Sequence, residues 1–246
     1  MYEHLKLERR DDITVVRIDR PPANALDLSL LDEGHRVLDE LRAAEPGAVV
    51  LTGRDGFFSA GVDLKAAPEL SADDQRRMVG GINALFAGWY AFPRPLVCAV
   101  NGHAVAGGLI LALCGDHRVG STEGRLGLTE LRVGAPYPAA AMAVVQAELG
   151  PVAARRLALR ADLMDPPEAL ELGALDELVE PDSVLDRALE VAAELAGLPQ
   201  STYSIVKRQL RGETWDRIDS ALDSDPLLRS WLGEETSQDV LRASKS

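Results

Sequence analysis

The sequence predicts a mixed α/β protein with strands in its first part and mostly helix in its last third. Short apolar segments at residues 48–52 and 96–100 indicate buried strands, and each follows a segment with helical spacing of apolar residues. From residue 138 onward the pattern is helical apart from one strand. No low-complexity linker divides the 246 residues, so we expect a core over residues 1–195 and a helical region over residues 196–246.

Local signals place the individual elements. Alternating apolar residues predict strands at 5–8 and 13–18, joined as a hairpin. A helix over about 30–41 follows, with Asp27 or Ser29 as its N-cap. The next predicted helix begins at Ser71 and ends before Pro93. Later helices are predicted at 109–114, 139–149, 152–160, 167–172, 183–196 and 202–211. Later strands are predicted at 117–119, 125–128 and 175–179.

Composition and charge restrict the class of protein. Hydrophobic residues make up 46% and charged residues 26%, which is typical of a folded globular chain. The formal net charge of −13 argues against a nucleic-acid partner and against binding to anionic lipid. No apolar run reaches the ~18–20 residues of a membrane span, and the first residues lack the apolar core of a signal peptide. We therefore expect a cytoplasmic protein without membrane contact.

The cysteines and histidines do not predict a metal site. Cys98 and Cys114 lie in apolar segments and do not form a CxxC pair, which fits a reducing compartment. The four histidines are scattered along the chain, so their spacing does not suggest metal ligands. We expect no metal.

Three segments rich in small residues lie next to predicted strands or helices, at 57–64, 100–108 and 126–134. Small residues let a ligand approach the backbone closely. The glycine pair at 107–108 opens a helix, where N–H groups without helical partners favour an oxyanion. Two such donors on one oxygen form an oxyanion hole. Taken singly, a glycine pair also fits tight helix packing, and Glu130 also fits a carboxylate at the end of a strand.

In this order the segments resemble the crotonase superfamily, the enoyl-CoA hydratase/isomerase proteins. Residues 58–64 are similar to the first oxyanion segment of that family, and residues 101–116 to the second. Residues 170–179 resemble the helix, glycine and strand that end the family's core, and residues 20–26 its loop beside the CoA nucleotide. The resemblance covers about residues 5–210.

The resemblance implies a crotonase-like spiral of ββα units with a helical C-terminal region. It also implies a homotrimer or a dimer of trimers, with residues 196–246 as the trimerisation region. The implied substrate is an acyl-CoA, and no cofactor is implied beyond the coenzyme A of that substrate. By position in the motifs, the backbone N–H groups of Ala60 and Gly107 should hold the thioester oxygen. The residues implied at the substrate and CoA site are Ala23, Ala25, Ser59, Ala60, Gly61, Val62, Asp63, Leu64, Gly107 and Thr129.

The residue at one position separates the reactions within the family. Hydratases of this family use two carboxylates, and the first of those positions is Ile110 in this chain. The second position is Glu130. One carboxylate facing a polarised thioester suits removal of a proton from C2 and its return at C4. The chain is therefore closest in motif to the Δ3,Δ2-enoyl-CoA isomerase branch, with Glu130 as the proton shuttle.

Other functions stay open on the sequence alone. The chain could be a hydratase in which Glu130 alone handles water, or it could catalyse hydrolysis or decarboxylation of an acyl-CoA. It could also be a catalytically silent acyl-CoA-binding protein, although a pure binder has no need for Glu130.

Six further side chains are candidates for a supporting role. His103 is expected to be structural, and Asp116 to bond to backbone. Lys207 and Arg208 are expected on a solvated helix face, with CoA phosphates as the alternative. Trp231, like Trp215, lies over either a pocket or an interface.

Overall fold

The computed structural model describes residues 2–44, 47–63, 70–229 and 231–232. Its strands are β1 (Leu5–Arg10), β2 (Ile13–Ile18), β3 (Ala48–Thr52), β4 (Phe57–Ser59), β5 (Leu96–Val100), β6 (His103–Val105), β7 (His117–Ser121), β8 (Leu126–Gly127) and β9 (Glu177–Val179). Its helices are α1 (Leu28–Ala43), α2 (Ala72–Tyr90), α3 (Gly107–Leu113), α4 (Ala139–Arg160), α5 (Pro166–Glu171), α6 (Val184–Ala196) and α7 (Gln200–Ala221).

Strands and helices follow one another in a repeated order. The units β3–β4–α2, β5–β6–α3 and β7–β8–α4 each contain two strands and a helix. The first strand of each unit joins a six-stranded sheet with the order β1-β2-β3-β5-β7-β9, and the second joins a three-stranded sheet with the order β4-β6-β8. All pairs are parallel except the β1–β2 hairpin. The predicted spiral of ββα units is confirmed.

Apolar layers cover both faces of the six-stranded sheet. Side chains alternate between the two faces of a strand. On one face, Val50 and Val97 pack with Val184 and Ala188 of α6. On the other face, Leu51 and its neighbours pack with helices α1 to α4. Because both faces are buried, the central strands are apolar throughout.

The three-stranded sheet brings the three segments rich in small residues together. β4, β6 and β8 are parallel, and the chain leaves them at Ser59, Val105 and Gly127. The carboxyl ends of parallel strands meet at one edge of a sheet, where ligands commonly bind. The segments that follow these strands therefore lie side by side.

The structure differs from the predicted elements mainly at short strands and at helix ends. β4 and β6 were not predicted, because three residues are too few to show alternation. Gly150 interrupts α4 with a φ of 66°, which confirms two helical segments at 139–149 and 152–160. α7 is longer than the predicted 202–211, because its polar, mostly exposed residues give a weak periodic signal. Within the described ranges, no helix is long and apolar enough to cross a membrane.

Candidate active site

Two loop backbones are in close contact at the edge of the three-stranded sheet. Gly61 has a φ of 76°, and a Cβ added to it would lie 2.7 Å from the backbone N of Gly107 and 2.8 Å from the carbonyl O of Val105. Both the conformation and the space therefore require glycine at position 61. A Cβ added to Gly107 would meet its nearest neighbours at an ordinary 3.5 Å. The contact places the N–H of Gly107 beside the loop that follows β4.

Backbone strain at Ala106 directs the start of α3. Ala106 has a φ of 53° and a ψ of −128°, which is unfavourable for a residue with a side chain. Its carbonyl accepts hydrogen bonds from the N–H groups of Leu109 and Ile110, at 2.9 and 3.2 Å. No residue in the described part of the chain accepts a hydrogen bond from the Gly107 N–H. This donor is therefore available to a ligand.

The expected second donor, Ala60, is already occupied. Its N–H donates to the carbonyl of Ala23 at 2.9 Å, so it cannot serve a thioester oxygen in this conformation. In the next residues, Leu26 N donates to Gly61 O, and Asp63 N donates to Leu26 O. The N–H of Val62 has no acceptor among the described residues. Val62 also lines a cavity with Gly107. Val62 therefore replaces Ala60 as the candidate donor.

The other predicted binding residues support this loop from behind. Ser59 is fully buried, donates its hydroxyl to Asn24 O at 2.7 Å and accepts from Gly61 N at 3.1 Å. Ala23 and Ala25 lie on the same early loop as Asn24. The guanidinium of Arg20 lies 3.4 Å from Asp63.

One predicted binding residue, Thr129, does not join this site. Thr129 lines a separate groove together with Arg125 and Arg132, not the cavity of Val62 and Gly107. Leu64 lies outside the described residues. The structure therefore brings together the three loops but only part of the predicted residue set.

A small apolar cavity lies between these loops and α4. Its volume is about 30 Å³. Ile110, in the place of the first hydratase carboxylate, is buried in its wall. The lining residues are Val62, Ile82, Phe86, Ala106, Gly107, Ile110, Glu130, Ala135, Pro136, Tyr137, Pro138, Ala141 and Trp231.

Glu130 is the carboxylate of this cavity. It begins a turn of 3-10 helix after β8 and is 9% exposed. Burial raises the pKa of Glu130 to about 7, while its own backbone N–H and the nearby Tyr137 hydroxyl act in the opposite direction. Its Oε2 atom is buried and has no hydrogen-bond partner among the described residues. A carboxyl with a pKa near neutrality can both accept and return a proton.

Tyr137 is a polar residue of the cavity that sequence reasoning missed. Its hydroxyl is buried and has no hydrogen-bond partner among the described residues. Burial raises the pKa of this hydroxyl, and the nearby Glu130 carboxylate raises it further. A tyrosine placed between Pro136 and Pro138, in the segment after Glu130, was the available signal.

Trp231 lines the cavity. It is 4% exposed, and its Nε1 donates to the carbonyl of Pro136 at 3.1 Å. Trp215 lies elsewhere, with the guanidinium of Arg208 placed 4.9 Å from the centre of its ring.

The remaining candidates have structural roles. His103 stacks on Phe57 with ring centres 4.7 Å apart, as expected of a structural histidine. Asp116 accepts from the backbone N–H of Leu96 at 2.9 Å, which confirms its bond to backbone. The expectation of a solvated Lys207 is wrong, because Lys207 is buried and its Nζ lies 2.8 Å from Oδ2 of Asp116. Among the described residues, no cluster of three or more His, Cys, Asp or Glu could hold a metal ion.

Comparison with known proteins shows the family of the chain. The family model for enoyl-CoA hydratase/isomerase matches residues 8–238. The chain belongs to the enoyl-CoA hydratase/isomerase family. A putative enoyl-CoA hydratase of Thermus thermophilus is 36% identical over 219 residues, which cover 87% of this chain and 84% of that protein. The probable enoyl-CoA hydratase EchA17 of Mycobacterium tuberculosis is 32% identical over 196 residues, covering 79% of this chain and 75% of that protein.

A solved isomerase has the same fold over nearly the whole chain. The crystal structure of human mitochondrial delta3-delta2-enoyl-CoA isomerase superposes with a TM-score of 0.94 at 26% identity. The match covers 99% of this chain and 97% of the human one. This member of the hydratase/isomerase family is therefore similar both to proteins named hydratase and to one named isomerase.

Proposed function

We propose that the protein is a Δ3,Δ2-enoyl-CoA isomerase that converts a 3-enoyl-CoA to the 2-enoyl-CoA, with Glu130 as the proton shuttle. The observation that carries the proposal is the lining of the cavity. Within the described ranges, Glu130 is the carboxylate that lines it, and apolar Ile110 is buried in its wall. A shuttle needs one group that takes and returns the same proton, whereas the family's hydratases use two carboxylates.

The proposed reaction moves one proton and one double bond. Ionised Glu130 takes a proton from C2, and the electrons of that C–H bond form an enolate on the thioester oxygen. The N–H groups of Val62 and Gly107 are proposed to stabilise the enolate, because donors at such an oxygen contribute most when charge develops. The enolate then closes to the 2,3 double bond as C4 takes the proton from Glu130.

The electrostatics of Glu130 support both halves of this cycle. At neutral pH a carboxyl with a pKa of about 7 is part ionised and part protonated. An acid–base group is most effective when its pKa lies close to the working pH. The mostly apolar walls also limit exchange of the abstracted proton with solvent.

The acyl-CoA substrate and the assembly belong to the same proposal. The CoA part of the substrate is proposed to lie along the loop that holds Ala23, Ala25 and Asp63, and no further cofactor or metal is needed for the proton transfer. Assembly into trimers is proposed from exposed apolar residues on α4, such as Val152 and Leu159.

The test is a product analysis with separate substrates. The purified protein is incubated with a 3-enoyl-CoA, and the product is identified by chromatography and mass. We expect a 2-enoyl-CoA of unchanged mass. In D2O, part of the C2 proton should reappear at C4, because one shielded base carries it. Failure to convert 3-enoyl-CoAs of any chain length would contradict the proposal.

A further inference from the structure

A second cavity, which we call the α7 pocket, lies between helix α7 and the turn that joins α2 to β5. Its volume is about 100 Å³, and it shares no lining residue with the candidate active site. Phe92 and Pro93 give it an apolar wall on one side, and Lys207, Arg208 and Arg211 of α7 line the other side. No carboxylate of the described residues lines it. The α7 pocket is therefore cationic in a chain with a formal net charge of −13.

Two of these three cations are compensated from behind the pocket, and one is not. Asp116 lies 2.8 Å from Nζ of Lys207 and 3.4 Å from Nη1 of Arg211. Arg208 is exposed and forms neither an ion pair nor a hydrogen bond with any residue in the described ranges. Its guanidinium lies 4.9 Å from the centre of the Trp215 ring. The α7 pocket therefore has one uncompensated positive charge, that of Arg208.

Further hydrogen-bond donors at the α7 pocket lack acceptors. A lysine ammonium carries three N–H donors. In Lys207, one donates to Asp116 at 2.8 Å and another to the carbonyl of Arg94 at 3.1 Å, so the third has no acceptor among the residues that the structure describes. The hydroxyl of half-buried Ser204 also has no partner there. Such donors, together with the guanidinium of Arg208, favour an anionic ligand.

Gly212 leaves open space beside these donors. It lines the α7 pocket and lies inside a 22-residue helix, where glycine is less favourable than alanine. Its φ is not positive, and a Cβ added to it would meet no atom within 4 Å. Neither backbone conformation nor close packing therefore requires glycine at this position. The missing side chain instead enlarges the pocket.

We infer that the α7 pocket binds a small monocarboxylate with a short apolar chain, held by Arg208, Lys207 and Ser204. A carboxylate carries the single negative charge that matches Arg208 and can accept two parallel hydrogen bonds from a guanidinium. The apolar chain would pack against Phe92 and Pro93. A cavity of about 100 Å³ is far smaller than the roughly 300–1,000 Å³ of pockets for drug-sized ligands, so only a few heavy atoms fit. The inference does not depend on the reaction proposed above.

The experiment titrates the full-length protein with butyrate and follows binding by ligand-observed NMR. We expect saturable binding with a Kd of about 1 mM, because a ligand of so few atoms gains little binding free energy. Butyramide has the same apolar chain without the charge, and it should bind at least about tenfold more weakly. Inorganic phosphate has the charge without the apolar chain, and at an equal concentration it should displace little butyrate.

Three variants locate the binding. Arg208→Gln should weaken butyrate binding at least about tenfold, because it removes the charge-assisted hydrogen bonds. The matched control is Arg217→Gln, the same change of charge in α7, since Arg217 donates to the carbonyl of Ala143 and does not line the pocket. It should leave the Kd unchanged. Gly212→Leu should fill the pocket and abolish binding, and thermal unfolding checks that it stays folded.

Each result decides for or against the α7 pocket as a carboxylate site. A loss of binding in Arg208→Gln and Gly212→Leu, with none in Arg217→Gln, supports the inference. Equal losses in both arginine variants would show a general effect of charge and would overturn it. So would the absence of saturable butyrate binding, or binding of butyramide or phosphate as tight as that of butyrate. These results leave the isomerase proposal untouched, because the product analysis described above tests that separately.

Discussion

Gly61 and Gly107 bring two loops into backbone contact, with the position of a Gly61 Cβ only 2.7 Å from the N of Gly107. The two residues are 46 positions apart and follow β4 and β6 of the three-stranded sheet. The contact aligns the N–H of Gly107 with the loop that carries Val62. The candidate oxyanion hole therefore depends on the pairing of two three-residue strands.

The first prediction concerns the N–H of Gly107. Gly107 is the first residue of α3, a position that accepts proline because its N–H has no helical partner. Gly107→Pro should lower kcat by about 10²–10³-fold, the usual effect of losing one oxyanion donor.

The matched variant for this prediction is Gly107→Ala, which keeps the N–H. Its Cβ would meet Gly61 Cα, Leu26 and Phe86 at 3.5 to 3.6 Å, which is ordinary contact. We expect it to be at least ten times as active as the proline variant. Steady-state kinetics on the 3-enoyl-CoA, with circular dichroism to check folding, measures the difference. Equal activity of the two variants would remove Gly107 from the oxyanion hole.

The sequence predicts the parts of this fold that local patterns determine. β3 and β5 are continuous apolar runs, so their burial on both faces of a sheet is evident from composition. The order of the glycine-rich segments and of Glu130 identifies the family. These features depend on a few neighbouring residues and need no knowledge of distant contacts.

Details of the site depend on contacts between distant residues. The N–H of Ala60 donates to Ala23 O, whereas the N–H of Val62 has no acceptor among the described residues, and the sequence motif does not show this difference. Lys207 occurs in a polar helix, yet it is buried because Asp116, 91 positions earlier, accepts its hydrogen bond. Tyr137 carries no pattern of its own, and only the shared cavity connects it with Glu130.

The second prediction concerns the size of the acyl pocket. The indole of Trp231 forms part of the wall of a cavity of only about 30 Å³. Trp231→Ala should enlarge the cavity and shift the preference, measured as kcat/KM, towards longer acyl chains. Trp215→Ala serves as the control, because Trp215 does not line this cavity. A series of 3-enoyl-CoAs of increasing length measures the shift, and an unchanged preference would show that Trp231 does not limit the chain.

The third prediction concerns assembly. Val152 and Leu159 on α4 are 69% and 67% exposed, and Leu159 borders an apolar groove with Met142 and Ala154. Burying such a surface between copies of the chain is favourable. Sedimentation velocity at micromolar concentration should give a particle of three or six chains of 26.4 kDa. Leu159→Asp should weaken the assembly, and a wild-type monomer would contradict the prediction.

The fourth prediction is the pH dependence of catalysis. Glu130 must be ionised to take the C2 proton, and burial raises its pKa to about 7. For the free enzyme, kcat/KM should therefore rise with pH through about 7 and level off above it. A profile that stays flat from pH 5 to pH 9 would exclude Glu130 as the base that starts the reaction.

The last prediction combines turnover and stability in Glu130→Gln. Glutamine keeps the shape of the side chain but cannot accept the C2 proton. Turnover of the 3-enoyl-CoA should fall by about 10²–10⁴-fold, with little change in the binding of a CoA thioester that cannot react. Glu190→Gln is the comparison, because it changes an exposed carboxylate of α6 that pairs with Arg187 and does not line the cavity.

The same variant should change how stability depends on pH. The pKa of Glu130 is about 7 in the folded protein, above the ordinary value of 4.5. Between these two pH values, the carboxyl keeps its proton in the folded protein and loses it in the unfolded chain. The wild type is therefore most stable at low pH, and its free energy of unfolding falls as pH rises through about 7. Glu130→Gln lacks the loss, so at pH 8 it should exceed the wild type in free energy of unfolding by up to about 3 kcal/mol. Urea unfolding of both proteins at pH 5 and pH 8 measures this difference in free energy of unfolding. If Glu130→Gln were as active as the wild type and no more stable at pH 8, Glu130 would be neither the base nor a buried charge.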